Sequence, residues 1–410
     1  MFRKLLTFLL AGSLLCMAGC AKQEAPQEPA ASETPAEHEE TIGIWFSYIE
    51  YRDLCAGMNE EEFTEFTRQA VANMKEVGVN TLYLHTVAFT DAFYDSDIYP
   101  KSSVISGMDY DPFKIFAESA KAADISVHAW INPMRSVTVS EAENLPQDFI
   151  IRKWIESNDE RVRQNGDRYY LNPAYPEVRS LICSVVQELL EKYQPDGIHM
   201  DDYFYPYGTE RSFDAYIFSR AQEENESLTL EDFRMNNTDT MVKQIHDTVK
   251  AFDPNIEFGI SPAGNIDNCI TLLYANPYHW VEQGTVDYLI PQIYWGYLHP
   301  IKPFEPTFEE WKGVTGDSDV RLLVGLAAYV IGLRMNLSEN NESINNEWVE
   351  HDDMMARQME TVFSGGGDGV VYFSYSSFFA PDEETLEIVE NEIIHIKISW
   401  KPEDDPQPGK

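Results

Sequence analysis

Short runs of β-branched and aromatic residues alternate along most of this chain with longer stretches whose apolar residues recur at helical spacing. The strand-like runs are Gly43–Ser47, Thr81–His85, Ser126–Ile131, Gly197–Asp201, Phe258–Ser261, Val286–Ile293, Arg321–Leu326 and Val370–Ser374. Helical stretches cover Glu61–Val77, Pro112–Ala123, Glu177–Tyr193 and Leu230–Phe252, then Thr307–Lys312, Val349–Phe363 and Asp382–His395. Eight such strands, alternating with helical stretches, predict an α/β fold of the (β/α)8 class, the closed parallel TIM barrel. An open doubly wound sheet is the competing arrangement. It is disfavoured because no glycine-rich phosphate-binding turn opens an early helix.

The repeat starts only after residue 40, and the chain before it has another character. Arg3 and Lys4 precede an apolar run from Leu5 to Leu15, which leads into Met17-Ala18-Gly19-Cys20. A charged start, an apolar middle and small residues read as a secretory signal over residues 1–19. The run is short for a bilayer span, which needs roughly 20 apolar residues. A cysteine directly after Ala18-Gly19 resembles a lipobox, so Cys20 is the expected lipidation site and first mature residue. Residues 20–40 hold Ala, Pro, Glu, Gln, Ser and Thr without a large apolar side chain after Cys20. Such a segment buries too little apolar surface to offset the entropy of ordering. It reads as a tether with a reach on the order of 25 Å. The barrel is then expected over 41–398, with a polar, proline-rich tail at 399–410.

Composition adds exclusions. The formal charge of −39 argues against nucleic acid, which needs a basic face. Hydrophobic residues make up 43% of the 410, enough for a sizeable core. Of five cysteines, Cys16 lies in the signal and Cys20 is the expected lipidation site. Cys55, Cys183 and Cys269 are widely spaced and read as buried thiols rather than a metal set, although one disulfide could form among them. No metal and no cofactor is expected.

In a barrel of this kind the working residues sit where strands end and loops begin. The first strand ends in Trp45-Phe46-Ser47-Tyr48 and the second in His85-Thr86. The third runs into Trp130-Ile131-Asn132-Pro133-Met134-Arg135, and the fourth reads Gly197-Ile198-His199-Met200-Asp201-Asp202-Tyr203. The fifth gives Ser261-Pro262-Ala263-Gly264-Asn265 and the sixth Gln292-Ile293-Tyr294-Trp295. The last two end near Tyr329 and in Phe373-Ser374-Tyr375. Aromatic faces cover the apolar faces of sugar rings, while amide, imidazole and guanidinium groups hydrogen-bond hydroxyls. The residues expected on substrate are therefore His85, Asn132, Arg135, His199, Tyr203, Ser261, Asn265, Gln292, Tyr294, Trp295 and Tyr375. Trp45 and Trp130 are further candidates for the sugar platform, with one or two of these aromatics expected in the core.

The segments "AWINPMR", "YYLNPAYPEVR", "DGIHMDDYFYP", "FGISPAGN", "VDYLIPQIYWG", "LLVGLAAY" and "VYFSYSS" occur in that order. Through them the chain resembles the glycosyl hydrolase-like family ten over Gly43 to about His395. The resemblance implies a TIM-barrel carbohydrate-active enzyme, with some relatives acting on peptidoglycan glycan strands. It also implies an arginine two positions after His85, where this chain has Val87.

Glycoside cleavage generally uses two carboxyl groups, one donating a proton and one serving as nucleophile or base. Asp201 and Asp202 are the expected catalytic pair. Alternation along a strand places His199 and Asp201 on one face, so His199 is expected to hydrogen-bond Asp201. A more distant second acid could be Glu50, Asp91, Asp95 or Asp267. Alternatively, the substrate's own 2-acetamido group could assist, positioned by Tyr294. The expected activity is hydrolysis of an envelope or extracellular polysaccharide by a lipid-anchored surface protein, with peptidoglycan glycan strands favoured. A non-catalytic glycan-binding lipoprotein is the alternative. A deacetylase would want a His/Asp metal cluster, and a sugar-delivering solute-binding lipoprotein would show two lobes.

Overall fold

The computed structural model describes residues 40–400. Cys20, the signal at 1–19 and nearly all of the tether lie outside the described residues, as does the chain after Trp400.

The first strands are β1 (Thr41–Phe46), β2 (Thr81–Val87) and β3 (Ser126–Ile131). Three short strands follow, β4 (Arg135–Thr138), β5 (Val162–Asn165) and β6 (Arg168–Leu171). Then come β7 (Gly197–Met200), β8 (Glu257–Ile260), β9 (Tyr288–Leu289), β10 (Arg321–Leu326) and β11 (Gly369–Tyr372). Strands β1, β2, β3, β7, β8, β9, β10 and β11 pair in that order and close back onto β1, every pair parallel. This is the (β/α)8 barrel. β4, β6 and β5 form a separate antiparallel sheet inserted after β3.

Local signals explain the helices. Asn59 and Glu62 make a capping box at the start of Glu60–Glu76, whose buried face is Phe63, Thr67, Ala70, Val71 and Met74. Asp111 caps Pro112–Lys121, and Thr229 caps Leu230–Phe252. Strand alternation then sorts two apolar cores. Ile42, Ile44 and Phe46 of β1 join the large core between sheet and helices. Trp45 joins Tyr83, Trp130, Tyr288, Ile290, Leu323 and Val371 inside the barrel.

The barrel interior is partly polar. Trp45 Nε1–H donates to His199 Nε2 at 3.1 Å. That leaves the imidazole proton on Nδ1, which donates to the Tyr288 hydroxyl at 3.3 Å. Tyr288 donates in turn to His128 Nδ1 at 2.8 Å. Burial holds both imidazoles neutral, His128 down to about 3 and His199 well below its ordinary value. Glycine makes room for these rings, because a Cβ at Gly259 or Gly197 would fall within the Tyr288 or His128 ring.

Several expected boundaries shift. Helix 349–363 is two helices, Glu342–Glu350 and Met354–Ser364. The buried Glu392 carboxyl accepts from Met354 N at 2.6 Å and Met355 N at 3.1 Å, starting the second helix from a distant part of the chain. The strand expected at 286–293 shrinks to Tyr288–Leu289 because Pro291 offers no N–H to the ladder. The last helix runs through Trp400, whose ring covers Gly78, so the tail expected from 399 starts after it. Cys55, Cys183 and Cys269 are free thiols.

Candidate active site

A cavity of about 220 Å³ opens at the carboxyl ends of the barrel strands, and all eight strand ends line it. Trp45, Ser47, Tyr48 and Ile49 follow β1, His85 belongs to β2, and Trp130, Asn132 and Arg135 surround the end of β3. Asp201, Asp202 and Tyr203 follow β7, and Ser261 follows β8. Gln292 and Tyr294 follow β9, while Tyr329 and Phe373 complete the wall after β10 and β11.

Asp201 is 4% exposed and held at both oxygens. Trp130 Nε1–H donates to Oδ2 at 3.2 Å, and the Tyr203 backbone N–H donates to Oδ1 at 3.1 Å. Burial raises its carboxyl well above the ordinary 3.8, and the adjacent Asp202 raises it further. Burial also raises Asp202, opposed by the neighbouring Gln292 amide. Two adjacent buried carboxyls resist ionising together and titrate as a pair. Both carboxyls meet N–H donors, Asp201 those of Trp130 and Tyr203 and Asp202 that of the Gln292 amide, so the pair holds its proton and its charge in common.

The other walls are rigid and mostly neutral. His85 stacks on Trp130 with ring centroids 3.8 Å apart, and burial pushes it down to about 3. Tyr294 packs against Tyr329 and Phe373, and burial keeps its phenol protonated. Ser261 Oγ is buried without a protein partner. Gln292 Nε2 donates to the Ser261 carbonyl at 3.1 Å.

Nine expected residues thus meet in one cavity: His85, Asn132, Arg135, Asp201, Asp202, Tyr203, Ser261, Gln292 and Tyr294. Four do not. His199 is fully buried beneath the cavity, bonded to Trp45 and Tyr288 instead of Asp201, whose indole partner is Trp130. Asn265 caps the helix Ile266–Leu272 by accepting from Asp267 N at 3.0 Å. Trp295 packs against His299 outside the lining. Tyr375 is buried behind β1 against Phe46, with its hydroxyl accepting from Asn73 at 3.1 Å. The lining residues Ser47, Tyr48, Ile49, Tyr329 and Phe373 were not among the expected contacts. Tyr329 and Phe373 stood at strand ends in the sequence, but nothing there marked them above other aromatics.

The candidates for a distant second acid have other work. Glu50 is 1% exposed and accepts from Ser47 Oγ, Ser374 Oγ and Ser376 Oγ, tying the start of the chain's first helix to the end of β11. Asp91 accepts from Phe89 N at 2.8 Å within its own loop. Asp95 and Asp267 are exposed and outside the lining. Among the described residues, Asp201 and Asp202 are the only carboxyl groups in the cavity wall.

The loop carrying Asp202 and Tyr203 is pinned from below. Arg234 is 1% exposed and pairs with the fully buried Asp214 at 2.9 Å. It also donates to the carbonyls of Thr209 and Glu210 and to the Tyr274 hydroxyl. One guanidinium thereby fixes the return of the loop that follows β7.

Comparison with known proteins agrees with this geometry. The barrel superimposes on the glycoside hydrolase domain of PgaB (BpsB) from Bordetella bronchiseptica with a TM-score of 0.54 at 13% identity, covering 86% of this chain and 99% of that one. For the catalytic domain of β-amylase from Paenibacillus polymyxa the TM-score is 0.55 at 9% identity, with coverage of 89% and 99%. These likenesses establish the fold. In sequence, the chain is 29% identical over 365 residues to "Glycosyl hydrolase DigH" of Escherichia coli (strain K12), covering 76% of this chain and 81% of that protein. It is 28% identical over 337 residues to "Glycosyl hydrolase YngK" of Bacillus subtilis (strain 168), covering 75% of this chain and 63% of that longer protein. The profile described as Glycosyl hydrolase-like 10 matches residues 40–343. With its barrel, its cavity and this match in agreement, the chain belongs to the glycosyl hydrolase-like 10 family.

Proposed function

We propose that this protein is a lipid-anchored surface glycoside hydrolase that cleaves N-acetylated glycans, peptidoglycan glycan strands first, with help from the substrate's 2-acetamido group. The observation that carries this reading is the pair Asp201–Asp202, which among the described residues has no carboxylate opposite it in the cavity wall. Two acids that flank a glycosidic bond stand about 5–9.5 Å apart across the site. Adjacent residues at one strand end do not present carboxylates to opposite faces of a sugar ring.

In this scheme Asp202 gives its proton to the glycosidic oxygen as the C1–O bond breaks. The acetamido oxygen attacks C1 from the other face and closes a five-membered ring. Asp201, ionised and held by Trp130 and Tyr203, accepts a hydrogen bond from the acetamido N–H and stabilises the positive charge that develops there. Water then attacks C1, loses a proton to Asp202 and reopens the ring, so configuration is retained. Tyr294 offers a phenol donor to the acetamido oxygen.

The test is product mass analysis after incubation with denuded glycan strands, chitin-type oligosaccharides and the same strands N-deacetylated. Soluble fragments are expected from the acetylated substrates, with at least a hundredfold loss on deacetylation. Equal cleavage of both forms removes the acetamido step. Tight binding with no fragments from any glycan favours the non-catalytic binder.

The anchor reading rests on Arg3, Lys4, the apolar run and Ala18-Gly19-Cys20. Metabolic labelling with a radioactive fatty acid should mark the wild-type protein and not Cys20→Ala. Label on the variant refutes lipidation at Cys20.

A further inference from the structure

The barrel interior carries a line of polar rings that the chemistry above does not use. Trp45 lines the cavity, and its indole, which can only donate, gives its Nε1–H to His199 Nε2. The sense of every later bond is then forced. A neutral His199 carries its proton on Nδ1 and donates to the Tyr288 hydroxyl. The Tyr288 proton therefore goes to His128 Nδ1, and the His128 proton stands on Nε2. That nitrogen faces the Glu257 carboxylate, whose Oε2 is 3.6 Å away. Glu257 is the first residue of β8, at the amino end of the barrel, and its other oxygen accepts from Arg321 Nη2 at 2.5 Å. Arg321 opens β10, donates also to Thr41 Oγ1 at 3.0 Å and lies 5.8 Å from the Tyr288 ring centroid. The line thus runs from a donor-only indole in the cavity wall to an acceptor-only carboxylate at the opposite rim.

Keeping this line has a cost. His128, His199 and Tyr288 are at most 2% exposed, and burying polar ring atoms is unfavourable where apolar rings would pack freely. Gly197 and Gly259 forgo side chains to admit two of the rings. What the line secures is orientation. A His199 proton moved to Nε2 would set two donors against each other at Trp45, so one arrangement alone satisfies every buried group. The His199 ring also meets the Trp130 indole edge-on, with centroids 6.3 Å apart, and Trp130 in turn holds Asp201.

We propose that Glu257, acting through His128, Tyr288 and His199, is a positioning residue that holds the Trp45 indole in place as a wall of the cavity. The glycan-cleaving reading supplies the ligand for the binding test, whereas the relay itself can be read without any sugar.

Isotope labelling of histidine and tryptophan nitrogens reads the relay by magnetic resonance in the wild-type protein. His199 is expected as the Nδ1–H tautomer and His128 as the Nε2–H tautomer, and the reverse at either ring overturns the proposal. Tyr288→Phe keeps the ring and removes the middle hydroxyl. It should move the Trp45 indole N–H resonance, which is assigned by its loss in Trp45→Phe. It should also weaken binding of an N-acetylglucosamine tetrasaccharide at least about fivefold, the scale of one net hydrogen bond. Binding is measured by calorimetry in the Asp202→Asn background, so that turnover does not intrude. Glu257→Leu, at the far end of the barrel, should weaken binding in the same direction. Glu257→Gln, which keeps an acceptor oxygen, should stay within about twofold of the parent. A network that only fills the core predicts lower melting temperatures with unchanged affinity of the folded protein. That result overturns the proposal, as does a moved Trp45 resonance with unchanged affinity. Glu257→Gln as weak as Glu257→Leu would mean that charge, rather than the hydrogen-bonded line, reaches Trp45, and overturns it too. If wild-type protein neither binds nor cuts the tetrasaccharide, the glycan reading falls, while the tautomers and the Trp45 resonance still decide the relay.

Discussion

Asp201→Asn is expected to lower kcat on an N-acetylated glycan by about a thousandfold or more, with substrate binding changed by only a fewfold. Asparagine keeps the size of the side chain and can still meet Trp130, but it cannot hold the negative charge that balances the developing cation. Electrostatic stabilisation of that kind is often the largest single contribution to rate. Asp202→Asn should fall by a comparable factor for a different reason, since it removes the proton donor. An aryl glycoside with a good leaving group separates the two roles, because departure then needs little protonation. Asp202→Asn should recover most of its activity on that substrate, whereas Asp201→Asn should not. Recovery by Asp201→Asn alone would reverse the assignment.

The pH behaviour follows from the same pair. The wild-type rate should fall at low pH as Asp201 takes up a proton, and at high pH as Asp202 loses its own. In stability the sign is opposite to that of a salt-bridged acid. Both folded-state values lie above the ordinary 3.8. Stability is therefore fully present below that value and is lost as pH rises through the folded-state values. Asp201→Asn should consequently melt a few degrees higher than wild type at pH 8 and near wild type at about pH 4. An acid-side difference of equal size contradicts the burial argument.

Arg234→Met is expected to be among the most destabilising single changes in the described fold, costing about 3–5 kcal/mol. It leaves Asp214, fully buried, without its counter-charge, and orphans the carbonyls of Thr209 and Glu210. The released segment runs from Asp202 to Asp214, so activity should suffer beyond the loss of folded protein. Urea melts of Arg234→Met and of Arg234→Met with Asp214→Leu test this. The double variant should recover much of the loss, because removing both partners is far cheaper than stranding one charge. A single variant within 1 kcal/mol of wild type would mean that the pair is solvated.

Much of this architecture is written in local chemistry. The eight strand runs with their intervening helices, the caps at Asn59, Asp111 and Thr229, and the clustering of polar and aromatic residues at strand ends all follow from short-range pattern. Asp201, Asp202, Asn132 and Gln292 were legible for the same reason, since a parallel barrel turns its strand ends toward one face. Tertiary structure alone decided which ring nitrogens, carboxyls and indoles meet. His199 lies on the expected side of β7, yet its partners Trp45 and Tyr288 come from strands 154 and 89 residues away. Glu50 carried the right chemistry for an acid and was consumed by serines more than 320 residues distant. Trp295 and Tyr375 matched a sugar platform by residue type, but a strand end does not reveal how far the following loop turns before its side chain points. Periodicity constrains the face on which a side chain stands. Its depth and its partners depend on which distant rings already fill the barrel, and that filling is settled only when all eight strands close.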